Sequence, residues 1–192
     1  MKELSEMTLE ELWQLFPIIL KDYSPEYKNW YEIEKKELIH NFNDAIVRIN
    51  HIGSTSVEGL IAKPTVDILM EIKNDSNIDK VKEKLLSMWW LLMNSTNDPK
   101  FRQTYNKGYT KYGFAEKVYH LHVRYYDDWN ELYFRDYLRE HKDVADEYAK
   151  LKLGLWKKYE HDRDGYTDAK SEFVLKVTEK ARKEYGGRYI RN

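Results

Sequence analysis

A glycine-serine loop followed by two acidic residues is the part of this sequence best suited to chemistry. The loop consists of Gly53, Ser54, Thr55 and Ser56. Backbone N–H groups and hydroxyls in such a loop can approach a phosphate closely. Asp67 and Glu71 follow the loop, and carboxylates beside a phosphate can hold a hard cation such as Mg²⁺. A phosphate and a metal ion together indicate the chemistry of nucleotides.

Two strands are predicted to position these groups. The runs from residue 45 to 52 and from residue 65 to 72 are rich in β-branched residues, which favour strands. Side chains alternate across a strand, so Asp67, Leu69 and Glu71 share one face of the second strand. The apolar residues of the opposite face are expected to lie in the core. Asp67 and Glu71 are therefore expected to face a cleft.

A later strand, predicted over Lys117 to Tyr126, carries His120, His122 and Arg124 on one face. A His-x-His pair on a strand can bind a transition metal, supply a general base or fill a polar gap in the sheet. The sequence leaves these three roles open. Buried polar groups need partners, so we expect a histidine of this pair within about 8 Å of the Asp67 carboxylate.

Composition limits the classes of function. A chain of 192 residues suits a single domain, here residues 1–192 with a helical C-terminal subregion from about 129 to 192. The 32 basic residues are balanced by 33 acidic ones, so no overall charge attracts nucleic acid. The absence of cysteine excludes disulfides and thiol catalysis. The sequence contains no long apolar run and no signal peptide, so we expect no membrane partner and a location in the cytoplasm.

The remaining segments alternate in a pattern typical of a mixed α/β protein. Thr8 and Glu11 form a capping box that opens a first short helix. Further helices are predicted near residues 25–42, 78–88, 130–139, 143–159 and 167–185. Antiparallel strands are predicted between residues 89 and 126, with turns at 97–99 and 106–108.

Four motifs give the chain a family resemblance. The run HIGSTSVEGLIAKPTVDI, followed by HLHVR, FRDYLREH and YTDAKSEFV, resembles the GrpB-like (UPF0157) proteins of the nucleotidyltransferase superfamily, which is typified by DNA polymerase β. The similarity spans about Asp22 to Tyr185. It implies an α/β (α+β) nucleotidyltransferase fold, a mixed β-sheet flanked by helices. Superfamily members usually carry two acidic residues two positions apart, and here Asp67 matches the first while Leu69 replaces the second.

The resemblance also implies a reaction. This reaction is the Mg²⁺-dependent transfer of a nucleoside monophosphate from a nucleoside triphosphate to a hydroxyl of an unknown small-molecule acceptor. Asp67 is then the metal ligand, with Glu71 as an outer ligand, and His120 or His122 takes the proton of the acceptor. The alternative is a non-catalytic nucleotide-binding or regulatory module that has lost the second metal-binding carboxylate at Leu69.

Four basic residues lie inside the matched motifs. They are Lys63, Arg124, Arg135 and Lys170. By resemblance these residues could clamp a triphosphate, although Arg135 and Lys170 are also placed to form ordinary surface ion pairs. Tyr166, in the YTDAK run, could stack on a base or lie in the core.

Overall fold

The computed structural model describes residues 2–190, and these residues form a five-stranded sheet with six α-helices. The strands are β1 (Ile46–Ile52), β2 (Val66–Ile72), β3 (Leu91–Thr96), β4 (Arg102–Thr110) and β5 (Gly113–Tyr125). The helices are α1 (Leu9–Leu15), α2 (Glu26–Phe42), α3 (Ile78–Ser87), α4 (Asn130–Glu140), α5 (Lys142–Trp156) and α6 (Arg163–Tyr185). The predicted mixed α/β architecture with helices at the C-terminus is confirmed.

The order of the strands brings the chemical groups together. The sheet runs β1-β2-β5-β4-β3, with β2 and β5 parallel and the other pairs antiparallel. In the register of β2 and β5, Asp67 lies beside His120 and Leu69 lies beside His122. Neighbouring strands in register place equivalent side chains on the same face. Asp67 and both histidines therefore share one face at the centre of the sheet.

Helices cover both faces of β2. One face packs in the main core against α2 and α3, while Leu69 on the other face packs against Trp129 and Leu132. Leu69 and Glu71 are fully buried, and Asp67 is partly exposed. Strands in a parallel pair are commonly buried on both faces. The alternation of β2 was predicted correctly, but the expectation that Glu71 faces an open cleft is wrong.

The hairpin between β4 and β5 also differs from the prediction. No turn occurs at residues 106–108, because β4 continues to residue 110 and the chain reverses at residues 111–112. Gly108 instead forms a bulge with a φ of +90°. A Cβ at this position would lie 2.2 Å from the Lys117 carbonyl oxygen, so only glycine fits. As a result β5 is longer than predicted and begins at Gly113.

The helices at both ends of the chain are held by local and long-range contacts. The predicted capping box of α1 is confirmed, since Thr8 and Glu11 exchange side-chain to backbone hydrogen bonds. Helices α4, α5 and α6 share a second core that includes Val57 and Leu60 from the loop after β1. This packing fixes the loop against the C-terminal helices. Across residues 2–190, no helix combines the length and the apolar character needed to cross a membrane.

Candidate functional site

Gly53 allows the loop after β1 to pack directly on Asp67. Its φ of +69° is a left-handed conformation that glycine adopts readily. A Cβ at this position would lie 2.4 Å from the Asp67 Oδ2 atom, closer than a real Cβ approaches an oxygen. Any larger residue at position 53 would therefore push the loop away from the carboxylate.

Hydrogen bonds within the loop fix its shape. The buried Thr55 hydroxyl donates to the Thr65 carbonyl over 2.9 Å and lies 3.0 Å from His51 Nε2. Since the Thr55 proton is already used, the His51 N–H must be the donor in the second contact. Burial lowers the pKa of His51 to about 4, so this ring is neutral at pH 7. The Ser56 hydroxyl donates to the Gly53 carbonyl over 2.6 Å.

Asp67 is held by the two histidines of β5. Its Oδ1 atom lies 3.1 Å from His120 Nδ1 and 3.5 Å from His122 Nε2. The prediction that a histidine lies within about 8 Å of this carboxylate is confirmed. Burial alone would raise the pKa of Asp67, but the hydrogen bonds from His120 and His122 outweigh it and hold the pKa well below its usual range. Asp67 is therefore ionised at neutral pH.

His120 has partners at both ring nitrogens. Nδ1 contacts Asp67, and Nε2 lies 2.8 Å from the Tyr109 hydroxyl, which is 3.0 Å from Arg163 Nη2. Because arginine only donates, the Tyr109 proton goes to His120 Nε2. Burial lowers the pKa of His120, which favours a neutral ring that donates at Nδ1 and accepts at Nε2. His120 therefore has no free lone pair for a substrate proton while Tyr109 is in place.

A cavity of about 380 Å³ opens beside Asp67, between the Gly53–Ser56 loop and helices α5 and α6. We call it the cationic cavity because four basic side chains line it: Lys63, Lys152, Arg163 and Lys170. The acidic residues in its wall are Asp67 and the exposed Asp164. The basic side chains outnumber the acidic ones, so the cavity suits an anionic ligand.

The three lysines of the cationic cavity make few polar contacts. Lys152 donates to the Ser54 hydroxyl over 3.1 Å and to the Ile61 carbonyl. Lys63 and Lys170 have their Nζ atoms 5.9 and 4.2 Å from the centre of the Tyr166 ring. Among residues 2–190, none of these lysines forms an ion pair with a carboxylate. Within residues 2–190, each of these three ammonium groups therefore lacks a carboxylate that pairs with it directly.

Burial makes these ammonium groups easier to deprotonate. Burial, assisted by neighbouring cations, lowers the pKa of Lys63 and of Lys152 to about 7. Burial also lowers the pKa of Lys170, to about 8, although the negative charge of Asp67 partly offsets this change. A lowered lysine pKa means that the surroundings disfavour the charged form. An anion in the cavity would reverse that effect and return the lysines to the charged form.

Glu71 is not brought to the cationic cavity. Its carboxylate accepts two hydrogen bonds from Arg48, one of them 2.7 Å long, and a third from the Asp127 backbone N–H over 3.3 Å. Burial raises the pKa of Glu71, and Arg48 opposes that rise. Both carboxylate oxygens are therefore used to join β1, β2 and the segment after β5.

Two of the basic residues suggested by the motifs also lie elsewhere. Arg124 donates to the Gln103 and Val123 carbonyl oxygens over 3.0 and 3.1 Å. Arg135 donates to Asn50 Oδ1 over 2.9 Å and to the His51 carbonyl over 3.2 Å, so it joins α4 to β1. The structure brings Gly53, Ser54, Thr55, Lys63, Asp67, His120 and Lys170 together in the wall of one cavity. It does not bring Ser56, Glu71, His122, Arg124 and Arg135 into that wall.

The carboxylates present fit one Mg²⁺ ion and do not fit two. Mg²⁺ prefers oxygen ligands and often takes one or two carboxylates together with the phosphates of a substrate. Asp67 Oδ2 accepts no hydrogen bond from residues 2–190, so this atom is available as a ligand. Leu69 occupies the second acidic position and is buried, and Glu71 is held by Arg48. Within residues 2–190, no cluster of three or more acidic, histidine or cysteine side chains is arranged to hold a metal.

Sequence reasoning missed several residues of the site. Among them are Tyr109, Tyr148, Lys152 and Arg163. Lys152 carried a usable signal, because it lies four residues after Tyr148 on the apolar side of α5 and is 2% exposed. A lysine on the buried face of an amphipathic helix is rare without a specific partner. Tyr109 and Arg163 carried no such signal, since only the tertiary packing brings them to His120.

The fold and the site together define the class of protein. This is an α/β protein whose mixed sheet presents a glycine-serine loop, a histidine-bound carboxylate and a cationic cavity on one face. The family model described as GrpB protein matches residues 17–180. The chain belongs to the GrpB family.

Individual relatives agree with this assignment. The chain is 32% identical over 163 residues to the glutamate-rich protein GrpB of Alkalihalophilus pseudofirmus, covering 83% of this chain and 93% of that protein. It is 30% identical over 171 residues to the UPF0157 protein YqkA of Bacillus subtilis, covering 86% of this chain but only 48% of YqkA. This chain thus spans about half the length of YqkA. The crystal structure of the conserved protein GrpB from Enterococcus faecalis matches with a TM-score of 0.74 and 26% identity, over 87% of this chain and 99% of that one.

Proposed function

We propose that this chain binds a nucleoside triphosphate in the cationic cavity and transfers its nucleoside monophosphate to a hydroxyl of a small-molecule acceptor. The observation that carries the proposal is the cluster of Lys63, Lys152, Lys170 and Arg163 around the Ser54 hydroxyl and the Asp67 carboxylate. Ammonium groups without carboxylate partners are suited to phosphate oxygens. The sequence resemblance to nucleotidyltransferases supports a nucleotide over other polyanions.

In this proposal the lysines stabilise the negative charge that develops on the departing pyrophosphate. Transfer of this kind depends mainly on positioning and on electrostatic stabilisation, which preorganised cations supply. The cavity already places its basic side chains from three elements, namely the segment before β2, α5 and α6. Little rearrangement of the protein is needed to surround a triphosphate.

Asp67 and the histidines have separate parts in the proposed reaction. Asp67 Oδ2 would hold a Mg²⁺ ion, which when bound neutralises phosphate charge. His120 is a positioning residue, because both of its nitrogens are engaged. His122 also has a partner at each ring nitrogen, but both contacts are 3.5 Å long, from Nε2 to Asp67 Oδ1 and from Nδ1 to Arg124 Nη2. A substrate displaces these long contacts more easily than those of His120, so we assign His122 the general base, reached from beside the wall of the cationic cavity. It takes the acceptor proton, the acceptor oxygen bonds to the α-phosphorus, and the bond from that phosphorus to pyrophosphate breaks.

A non-catalytic nucleotide-binding module is the second candidate. The specific observation in its favour is Leu69, which is fully buried against Trp129 and Leu132 where related enzymes carry a second acid. Such a module would keep the cationic cavity and bind the same triphosphate. Binding alone therefore does not separate the two candidates, whereas transfer does.

The first experiment tests binding. A ligand that binds only the folded chain raises its melting temperature, so we expect a rise with nucleoside triphosphates and with inorganic tripolyphosphate. Lys170→Gln should weaken binding by about 10- to 100-fold, the value of a hydrogen bond to a charged group. Lys176→Gln is the matched control, because Lys176 lies on the same helix and is exposed. Equal affinities in both variants would remove Lys170 from the site.

The second experiment tests transfer. Each α-labelled nucleoside triphosphate is incubated with the chain, Mg²⁺ and a panel of hydroxyl-bearing metabolites, and labelled product and pyrophosphate are measured. Catalysis predicts both products in equal amounts, and their loss in His122→Gln with triphosphate binding retained. Tight binding with neither product for any acceptor would favour the non-catalytic module.

A further inference from the structure

A second cavity adjoins the cationic cavity and shares part of its wall. It has a volume of about 480 Å³, and Lys63, Thr65 and Arg163 line both cavities. The other main wall residues are Pro17, Ile19, Tyr27, Trp30, Pro64 and Phe114. We call this second cavity the aromatic pocket. Two of the three shared residues are cations, so a ligand that crosses the shared wall would place an anionic group there.

The aromatic side chains of this pocket are held by contacts with neighbouring rings. Trp30 meets Tyr27 nearly at right angles, with ring centroids 5.5 Å apart. Phe114 packs against Phe16 and Tyr109, with ring centroids 5.0 and 5.3 Å apart. Trp30 and Phe114 are only partly buried, so each keeps exposed surface. Rings fixed in this way can offer a planar ligand an apolar surface at little cost in side-chain entropy.

We propose that the aromatic pocket binds the nucleobase of the nucleotide whose phosphates lie in the cationic cavity. The inference rests on the proposed function, since it takes the phosphates to be placed as described above. A nucleobase is planar and stacks on aromatic side chains whatever its identity. The shared Lys63 and Arg163 then lie next to the phosphates nearest the ribose. Each cavity has the size of a typical ligand site.

A third cavity is the rival location for the base. Its volume is about 590 Å³, and its wall includes Tyr23, Tyr31, His51 and Arg139. It shares only Thr55 with the cationic cavity, and the Thr55 hydroxyl is already used within the loop. The aromatic pocket shares three residues, two of them cationic. The aromatic pocket is therefore favoured as the site of the base, because it shares more of its wall and two cations with the cationic cavity.

The test compares a nucleotide with its phosphate part alone. Calorimetric dissociation constants are measured for ATP, GTP, CTP, UTP and inorganic tripolyphosphate with the wild type, Trp30→Ala, Trp30→Phe and Tyr23→Ala. We expect Trp30→Ala to weaken binding of the best nucleotide about tenfold and to leave tripolyphosphate unchanged. Trp30→Phe, which keeps an aromatic ring, should recover most of the loss. Tyr23→Ala, in the rival cavity, should have no effect.

Several results would overturn the proposal. Loss in Tyr23→Ala with none in Trp30→Ala would move the base to the rival cavity. Equal weakening of nucleotide and tripolyphosphate in Trp30→Ala would show that Trp30 supports the phosphate site alone. If the wild type bound tripolyphosphate as tightly as it bound each of the four nucleotides, the base would contribute nothing to binding and no base site would exist. If the wild type bound neither ligand, the proposed function would fail, and the base site with it.

Discussion

Asp67 is set apart from Glu71, the other acidic residue of β2, by its neighbours. The Gly53 backbone packs on one oxygen and two histidines contact the other, whereas Leu69 and Glu71 further along the same face are fully buried. A single carboxylate oxygen without a protein donor is a limited metal site. At the scale of single residues, the chain therefore relies on lysines more than on acids to handle phosphate charge.

The first prediction concerns Leu69. Leu69→Asp should destabilise the fold by about 3 kcal/mol or more, because it places a charge without a partner among apolar side chains. Leu69→Met, which nearly conserves volume, should cost less than about 1.5 kcal/mol. Denaturant unfolding measures both. A Leu69→Asp variant as stable as the wild type, with stronger Mg²⁺ binding, would show that this position opens to the site.

Between elements, Glu71 acts as a structural link. Its contacts to Arg48 and to the Asp127 backbone join two strands and the segment that leads into α4. The Arg48 side chain also lies over the Tyr126 and Tyr189 rings, at 4.8 and 5.1 Å from their centres. A buried acid with these partners holds elements together and is not free to bind a ligand.

The second prediction follows from that link. Glu71→Gln removes the charge that pairs with Arg48, and loss of one member of a buried ion pair costs about 3 kcal/mol. Affinity for tripolyphosphate should not change, because Glu71 lies outside the cationic cavity. Unfolding and calorimetry on the same preparation test both parts. Undiminished stability with weakened Mg²⁺-dependent binding would instead support Glu71 as the outer metal ligand.

The periodicity of the strands predicted which residues share a face of the sheet, whereas the sequence did not predict how the helices pack on that face. Alternation placed Asp67 with His120 on one face of the sheet, and the register confirms it. It could not show that α4 covers Leu69, because the angle at which a helix crosses a sheet is not encoded in a periodicity of two. Lys152 and Arg163 were missed for the same reason, since they reach the cavity from α5 and α6. The bulge at Gly108 was misread as a turn because glycine serves both.

At the scale of the whole molecule, the cationic cavity is assembled from segments far apart in sequence. Its lysines come from the segment before β2, from α5 and from α6, and their pKa values are lowered to about 7, 7 and 8. An unfolded lysine titrates near pH 10.4. Between about pH 7 and pH 10 the unfolded chain therefore binds more protons at these positions than the folded chain does.

The third prediction is a pair of opposite pH trends. Stability rises with pH wherever the unfolded state binds more protons, so these lysines should make the ligand-free chain more stable as pH rises from about 7 to 9. Polyphosphate binds the charged lysines, so the rise in melting temperature that it causes should shrink over the same range. Melting curves are compared between the wild type and a double variant that carries Lys63→Met and Lys170→Gln. The double variant lacks two of the three lysines, so any pH trend that remains in it comes mainly from other groups. A ligand effect that grows toward pH 9 would contradict the prediction.

The proposed role of the cationic cavity depends most directly on whether its three lysines take up protons when a polyphosphate binds. A nucleoside triphosphate is titrated into the chain at pH 8 in two buffers that differ in ionisation enthalpy. Its one terminal phosphate has a second pKa of about 6 and is already ionised at pH 8, so proton exchange reports on the protein. We predict uptake of about two protons per ligand, because lysines with pKa values of about 7, 7 and 8 are mostly deprotonated at pH 8 and become charged on binding. Binding with no proton uptake, or no binding at all, would contradict the cationic cavity as the phosphate site.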